Sequence, residues 1–246
     1  MTLYTRPNNG PGYLQMDGDP SDYIELNLGV SYPPGIHRND LPPPRIGSEF
    51  TISTWVRPNS DGFNTDWRNI YDIPGDHMLE VDPSGYARFR AENNDINFQV
   101  QSSEALIPDQ WNHIAVTSSL GAPYSNANGG MYNQDPQHII YLNGEYINDA
   151  GGAPARSDGS SLYIGSLQSQ SPYNPDPWLG DIDDFNVYNF TLNQSQVADI
   201  HSEGREYPGS PSLLAVEYFR PVLSVNFDTD LDTGTPYTVH GNPEFI

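Results

Sequence analysis

Residues 50–58 read FTISTWVRP. Phe50, Ile52, Thr54 and Val56 alternate with Thr51, Ser53, Trp55 and Arg57, the two-residue period of a strand that lays one face on a core. Pro58 lacks an amide proton and is expected to close it. The same grammar recurs along the chain, as short runs of Val, Ile, Tyr, Phe and Thr bounded by Gly, Pro, Asn and Asp. Asn69 to Ile73, Met78 to Val81 and Tyr86 to Arg90 read as a meander. Asp82-Pro83-Ser84-Gly85 is its type I turn, with Pro second and Gly fourth. Asn112 to Ser118 and His138 to Leu142 are further strands, and Asn143-Gly144 after the second is a two-residue hairpin turn. One short helix is predicted, Gln194 to His201, capped by Asn193 or Ser195, with Val197 and Ile200 as its apolar edge. The predicted fold is all-β: a two-sheet antiparallel β-sandwich with one short helix near 194–201.

The composition supports a folded domain. At 246 residues there is ample length to bury a core, and 12% aromatic residues argue against disorder. Asp and Glu number 32 against 10 Lys plus Arg, giving a formal net charge of -22, and every basic residue is Arg. Carboxylates without any Lys read as adaptation to molar salt, where self-repulsion is screened over about 3 Å. A halophilic source is the expectation. Nucleic acid is excluded as a partner, because no basic patch exists to neutralise phosphates. No Cys is present, so disulfides and thiolate chemistry are excluded. The first fifteen residues show no charged n-region and no apolar h-region, so no signal peptide is expected. No apolar run approaches the roughly 20 residues of a membrane span.

Five segments in order carry a resemblance: FTISTWVRP, WNHIAVT, YLNGEY, LYIG and LGDIDDFNVYNFTLNQSQV. Together with YLQMDGDPSDYIELN ahead of them, they resemble the laminin-G-like, concanavalin-A-like lectin and glucanase jelly-roll domains. The resemblance covers most of residues 13 to 201. It implies an opening strand that carries an Asp and pairs beside the closing strand. Nothing before Tyr13 supplies one, whereas VLSVNFDTDL near the C-terminus does. The domain reading is therefore a sandwich over 1–201, a linker over 202–221, and C-terminal strands over 222–246. Those strands complete the same sandwich by circular permutation, complete that of a neighbouring subunit, or form an unrelated extension.

The resemblance also implies a structural calcium ion. By motif its ligands fall on Asp183 of the closing strand and on Asp228, with Asp181 and Asp184 as neighbours of lower rank. The Asp17, Asp19 and Asp22 run is a second cluster of oxygen donors. Glucanase chemistry needs two Glu on one strand. The nearest match, Glu80-Val81-Asp82, lacks the second, so no enzyme activity and no catalytic residue is expected.

Ligand binding then falls to loop aromatics and amides. Trp55, Trp111 and Trp178 sit on framework motifs and read as core. Trp67, with Phe63 beside it, is the leading candidate. The long loop from Gly121 to Gln137, expected to lack structure of its own, adds Tyr124, Asn128 and Tyr132. The loop before Trp178 adds Tyr173 and Asn174. The expected function is a non-catalytic glycan- or cell-surface-binding lectin-like module, an attachment or decoration protein of a halophile virus particle. The alternatives are a purely structural virion or surface-layer subunit and an extracellular adhesin module. The expected partners are a glycan or cell-surface receptor, other virion proteins, or copies of the chain. The expected location is a virion or extracellular surface in high salt.

Overall fold

The computed structural model describes residues 13–27, 49–62, 66–74, 76–93, 96–119, 123–125, 131–133, 137–151, 161–166, 176–203, 223–225 and 237–245. Two antiparallel sheets face each other. In chain order the strands are β1 (Leu14–Asp17), β2 (Tyr23–Asn27), β3 (Phe50–Pro58), β4 (Arg68–Ile73), β5 (His77–Val81), β6 (Tyr86–Asn93), β7 (Ile96–Ala105) and β8 (Asn112–Ser119). They continue with β9 (Pro123–Ser125), β10 (Met131–Asn133), β11 (Gln137–Leu142), β12 (Glu145–Gly151), β13 (Ser161–Ile164) and β14 (Leu179–Tyr188). A helix, α1 (Gln194–Glu203), precedes β15 (Leu223–Val225), β16 (Tyr237–His240) and β17 (Glu244–Phe245). Sheet A runs β12-β11-β8-β3-β14-β1-β17, with β15 also on β14. Sheet B runs β16-β2-β13-β4-β5-β6-β7. No helix among the described residues is long and apolar enough to cross a membrane.

The core follows from strand periodicity. Phe50, Ile52 and Val56 of β3 and Ile114 and Val116 of β8 meet Leu79, Val81 and Phe89 of sheet B, all buried in one cluster. Each such side chain is worth about 1.5–3 kcal/mol of burial. β14 needs a correction of phase to join them, because Ile182 and Phe185 are three residues apart, not two. Its pairing with β3 shifts between Asp183 and Asn186, and Asp184 adopts a positive φ of 47°. This β-bulge returns Phe185 and Val187 to the core face. Asp183 Oδ1 accepts the Asp184 amide at 2.8 Å, and the Asn186 amide nitrogen donates to the Asp184 carbonyl at 3.0 Å.

Local chemistry explains the turns and the helix end. Asn143 and Gly144 both have positive φ, 52° and 80°, and join β11 to β12. The Gly85 amide donates to the Asp82 carbonyl at 2.9 Å, closing the turn between β5 and β6. Asn193 Oδ1 accepts the Gln196 amide at 3.1 Å and Gln196 Oε1 accepts the Asn193 amide at 2.9 Å, a reciprocal N-terminal cap.

Three expectations change. β3 is buried on both faces and includes Pro58, so its alternation does not mark an exposed side. The reason is α1: Val197, Ile200 and Leu192 pack on Ala115, Tyr141 and Tyr188 of sheet A's outer face. The Gly121–Gln137 loop is not structureless, since β9 and β10 pair within it and set Tyr132 opposite Tyr124. Trp55 and Trp178 are buried as expected, but Trp111 is half-exposed. The C-terminal strands pair within the chain. β15 lies on β14 with Val225 opposite Phe185, β16 lies on β2, and β17 lies on β1.

Candidate functional site

One row of side chains crosses the open end of sheet A's outer face. Arg57 on β3 lies opposite Asp181 on β14. Asp181 lies opposite Gln15 on β1, and Gln15 lies opposite Glu244 on β17. Beside this row is a groove of about 590 Å³, floored by Gly180 and Leu179 and lined also by Asn59, Asp109 and Asn242. Gly180 has a φ of +136°, and a Cβ there would come within 2.3 Å of the Arg57 carbonyl. Only glycine lets β14 approach β3 this closely.

Arg57 and Asp181 form an ion pair through Nε and Oδ2. Burial falls harder on the acid, whose side chain is 5% exposed against 33% for Arg57. Burial therefore raises the Asp181 pKa, although Arg57 and Gln15 pull it down. For Arg57, burial alone would lower the pKa, but the Asp181 carboxylate outweighs it and keeps the guanidinium charged. The same guanidinium lies 5.1 Å from the Tyr13 ring and 5.2 Å from the Trp111 ring. Those rings meet edge to face at 5.8 Å. Two partly buried aromatic rings thus hold one cation that is already paired.

Backbone amides fix the surrounding acids. Asp22 Oδ1 accepts the Asn242 amide at 2.7 Å, Asp109 Oδ1 accepts that of Ser60 at 3.0 Å, and Asp17 Oδ1 accepts that of Asp19 at 2.8 Å. Asp19 Oδ1 accepts the Ser21 amide and hydroxyl, and that backbone bond lowers its pKa. In the Asp17–Asp22 run, one oxygen each of Asp17 and Asp19 holds the turn, and one of Asp22 ties it to Asn242.

Of the residues singled out for metal, Asp181, Asp183 and Asp184 lie on β14, and the pairing of Asp183 with Asp228 lies outside the described residues. Asp181 holds a guanidinium where a cation ligand would be free, and Asp183 and Asp184 build the bulge in β14. Among the described residues, no three His, Asp or Glu side chains form a metal-binding group. Asp228 lies outside the described residues, as do Phe63, Asn128, Tyr173 and Asn174; of Tyr124 and Tyr132 only the strand positions are described.

Trp67 sits on the other sheet. The Arg88 guanidinium lies 3.6 Å from its ring centroid, occupying one face of the indole. Arg88 Nε in turn donates to Glu80 Oε1 at 2.7 Å, and Arg90 lies 3.8 Å from the same oxygen. Glu80 is buried in these contacts. Asp176, close to Glu80, is raised to a pKa of about 6, by burial first and then by the Glu80 and Asp66 charges.

The Laminin_G_3 family profile, described as the concanavalin A-like lectin/glucanases superfamily, matches residues 36–198. The chain belongs to this superfamily. Among solved structures, this laminin-G-type domain is similar to a native heptameric SAP-like pentraxin from Limulus polyphemus. The identity is 14%, the match covers 95% of this chain and 94% of the pentraxin, and the TM-score is 0.61. It is also similar to a putative carbohydrate binding protein from Bacteroides ovatus, at 15% identity, covering 96% of this chain and 58% of that one, with a TM-score of 0.58. Likeness at these identities is likeness of fold. No curated protein matches the sequence.

Residue by residue reading missed Tyr13, Gln15, Arg57, Trp111 and Glu244. The available signal was Arg57, the one charge in FTISTWVRP, placed where an outer-face residue is due.

Proposed function

We propose that this chain is a non-catalytic glycan-binding module whose sugar site is the groove on sheet A. The observation that carries the reading is the row Arg57, Asp181, Gln15 and Glu244 lining a groove of about 590 Å³, with the Trp111 and Tyr13 rings 5.2 Å and 5.1 Å from the Arg57 guanidinium. Sugars are held where an aromatic face meets the C–H side of a ring and fixed polar groups take its hydroxyls. Trp111 and Tyr13 supply the faces. Gln15, Asn59, Asn242 and Glu244 supply donors and acceptors on strand ends and turns pinned by backbone hydrogen bonds. The fold shared with a protein described as a putative carbohydrate binding protein supports the same direction. Glu80, tied to Arg88 and Arg90, is not poised for glycoside cleavage. Deployment as an attachment or decoration protein of a halophile virus is the finer part of the proposal. It rests on the charge of -22 and the absence of Lys.

The test is glycan-array binding in high and low salt with the wild type, Trp111→Ala and Trp67→Ala, each checked for folding by circular dichroism. Loss of binding in Trp111→Ala, with retention in Trp67→Ala, is expected. The reverse pattern moves the site to sheet B. Binding of no glycan by the wild type ends the lectin reading and leaves assembly as the function.

A further inference from the structure

We infer that the groove prefers sugars bearing a free ammonium group over neutral sugars, and neutral sugars over carboxylated or sulfated ones; this rests on the groove being the sugar site. Arg57 is the one cation among the described residues lining it. An anionic sugar would have to draw Arg57 away from Asp181. That would leave a carboxylate with a 5% exposed side chain unpaired in a poorly hydrated place, which is costly. The aromatic rings on either side of Arg57 further restrict its movement.

The rest of the lining is acidic. Asp17, Asp22, Asp109 and Glu244 line the same groove, and the first three are held in place by backbone amides. Asp181 adds a further carboxylate on the groove wall, engaged by Arg57 and Gln15. An ammonium group brings three donors and the opposite charge. A hydroxyl brings one donor and no charge. A carboxylate brings neither.

Titration calorimetry of the whole chain tests this with three short oligosaccharides: a glucosamine trimer with its amines protonated, its N-acetylated counterpart, and a galacturonate trimer. Affinities should fall in that order, with a gap of about tenfold or more between first and last at about 0.01 M salt, where screening reaches about 30 Å. At about 1 M salt the gap should shrink severalfold. Glu244→Gln should narrow the low-salt gap, and Trp111→Ala should weaken all trimers that bind. Equal affinities, or tightest binding of galacturonate, overturn the inference while the sugar site stands. Glucosamine binding that survives Trp111→Ala unchanged is adhesion to an acidic surface and also overturns it. Absence of binding by every trimer removes the sugar site and the inference together.

Discussion

Strands β3 and β14 run beneath two different surfaces on the same side of sheet A. At one end their outer face is sealed. Thr51 Oγ1 donates to the Phe190 carbonyl and accepts the Leu192 amide, fastening the segment that leads into α1. Ser53 and His113 are hydrogen-bonded at 2.8 Å, and Trp55 stacks on His201 at 5.4 Å. Two residues further along β3, Arg57 opens onto the groove. The same alternating strand face is therefore core at Trp55 and ligand-accessible at Arg57. The change is made by what lies on top: a ten-residue helix covers one half, and the Tyr13 and Trp111 rings flank Arg57 at the other. Polar side chains under the helix serve the fold, and beyond it the Arg57 side chain keeps 33% exposure.

The largest expected difference between the halves is in acid. Burial lowers His113 in the sealed half, with some help from His201, and lowers His77 in the core, with some help from His138; both fall from 6.5 to about 3. The unfolded chain binds these protons first as pH falls. The stabilisation is thus complete above pH 6.5 and is lost on the way down to about pH 3, at about 1.4 kcal/mol per pH unit for each histidine. Asp176 works in the opposite sense. Its pKa is raised to about 6 from 3.8, so protonation between those values favours the fold and offsets part of the loss. Urea midpoints should fall steeply from about pH 7 to about pH 4. A flat profile would show that the imidazoles are solvated, and the sealed half with them. No histidine is among the described residues lining the groove, and its Asp181, raised by burial, acts in the same sense as Asp176.

Substitution of tryptophan separates the halves next. Trp55→Ala removes a ring that is 1% exposed and should cost about 3–5 kcal/mol by urea unfolding. Trp111→Ala removes a partly exposed ring and should cost about 1 kcal/mol or less while weakening groove binding. Similar losses of stability from both would mean that the groove is part of the core.

Gly180→Ala should fall between them. Its Cβ meets the Arg57 carbonyl at 2.3 Å and the Asn59 amide nitrogen at 2.9 Å, both backbone atoms that cannot swing aside. The expected cost is about 2 kcal/mol, read from the urea midpoint, together with weaker sugar binding because Arg57 and Asn59 must shift. Stability lost with affinity intact would separate the floor of the groove from its ligand.

How much of this could be read in advance divides along the same line. The sandwich was legible because a period of two needs only neighbouring residues. Asn143-Gly144 and the Asn193 cap were legible because turn and cap chemistry is local. The bulge left a trace as well, the three-residue spacing from Ile182 to Phe185. That spacing gives Asp183 and Asp184 a backbone task beside the cation role their motif suggests. The groove left no such trace. Tyr13, Arg57, Trp111, Asp181 and Glu244 come from five separate stretches, and only the order β17-β1-β14-β3-β8 brings them together. Trp111 read as core because WNHIAVT is a core strand. It stands one residue before β8 begins, at the end of the sheet that α1 does not cover.

The smallest effect tests whether the two halves are independent. Asn193→Ala removes one side of the reciprocal cap with Gln196 and should cost about 1 kcal/mol, visible as a lower urea midpoint. Fraying the first turn of α1 loosens Val197 on the sealed half. It leaves untouched the pairing of Arg57 with Asp181 and of Gln15 with Glu244, which are fixed by strand register. Sugar affinity should therefore stay within about twofold of the wild type, because sites that share no partner behave additively. A clear drop in affinity would mean that the helix and the groove are coupled through β3 and β14. The sealed half would then be part of the binding site's support and not merely its neighbour.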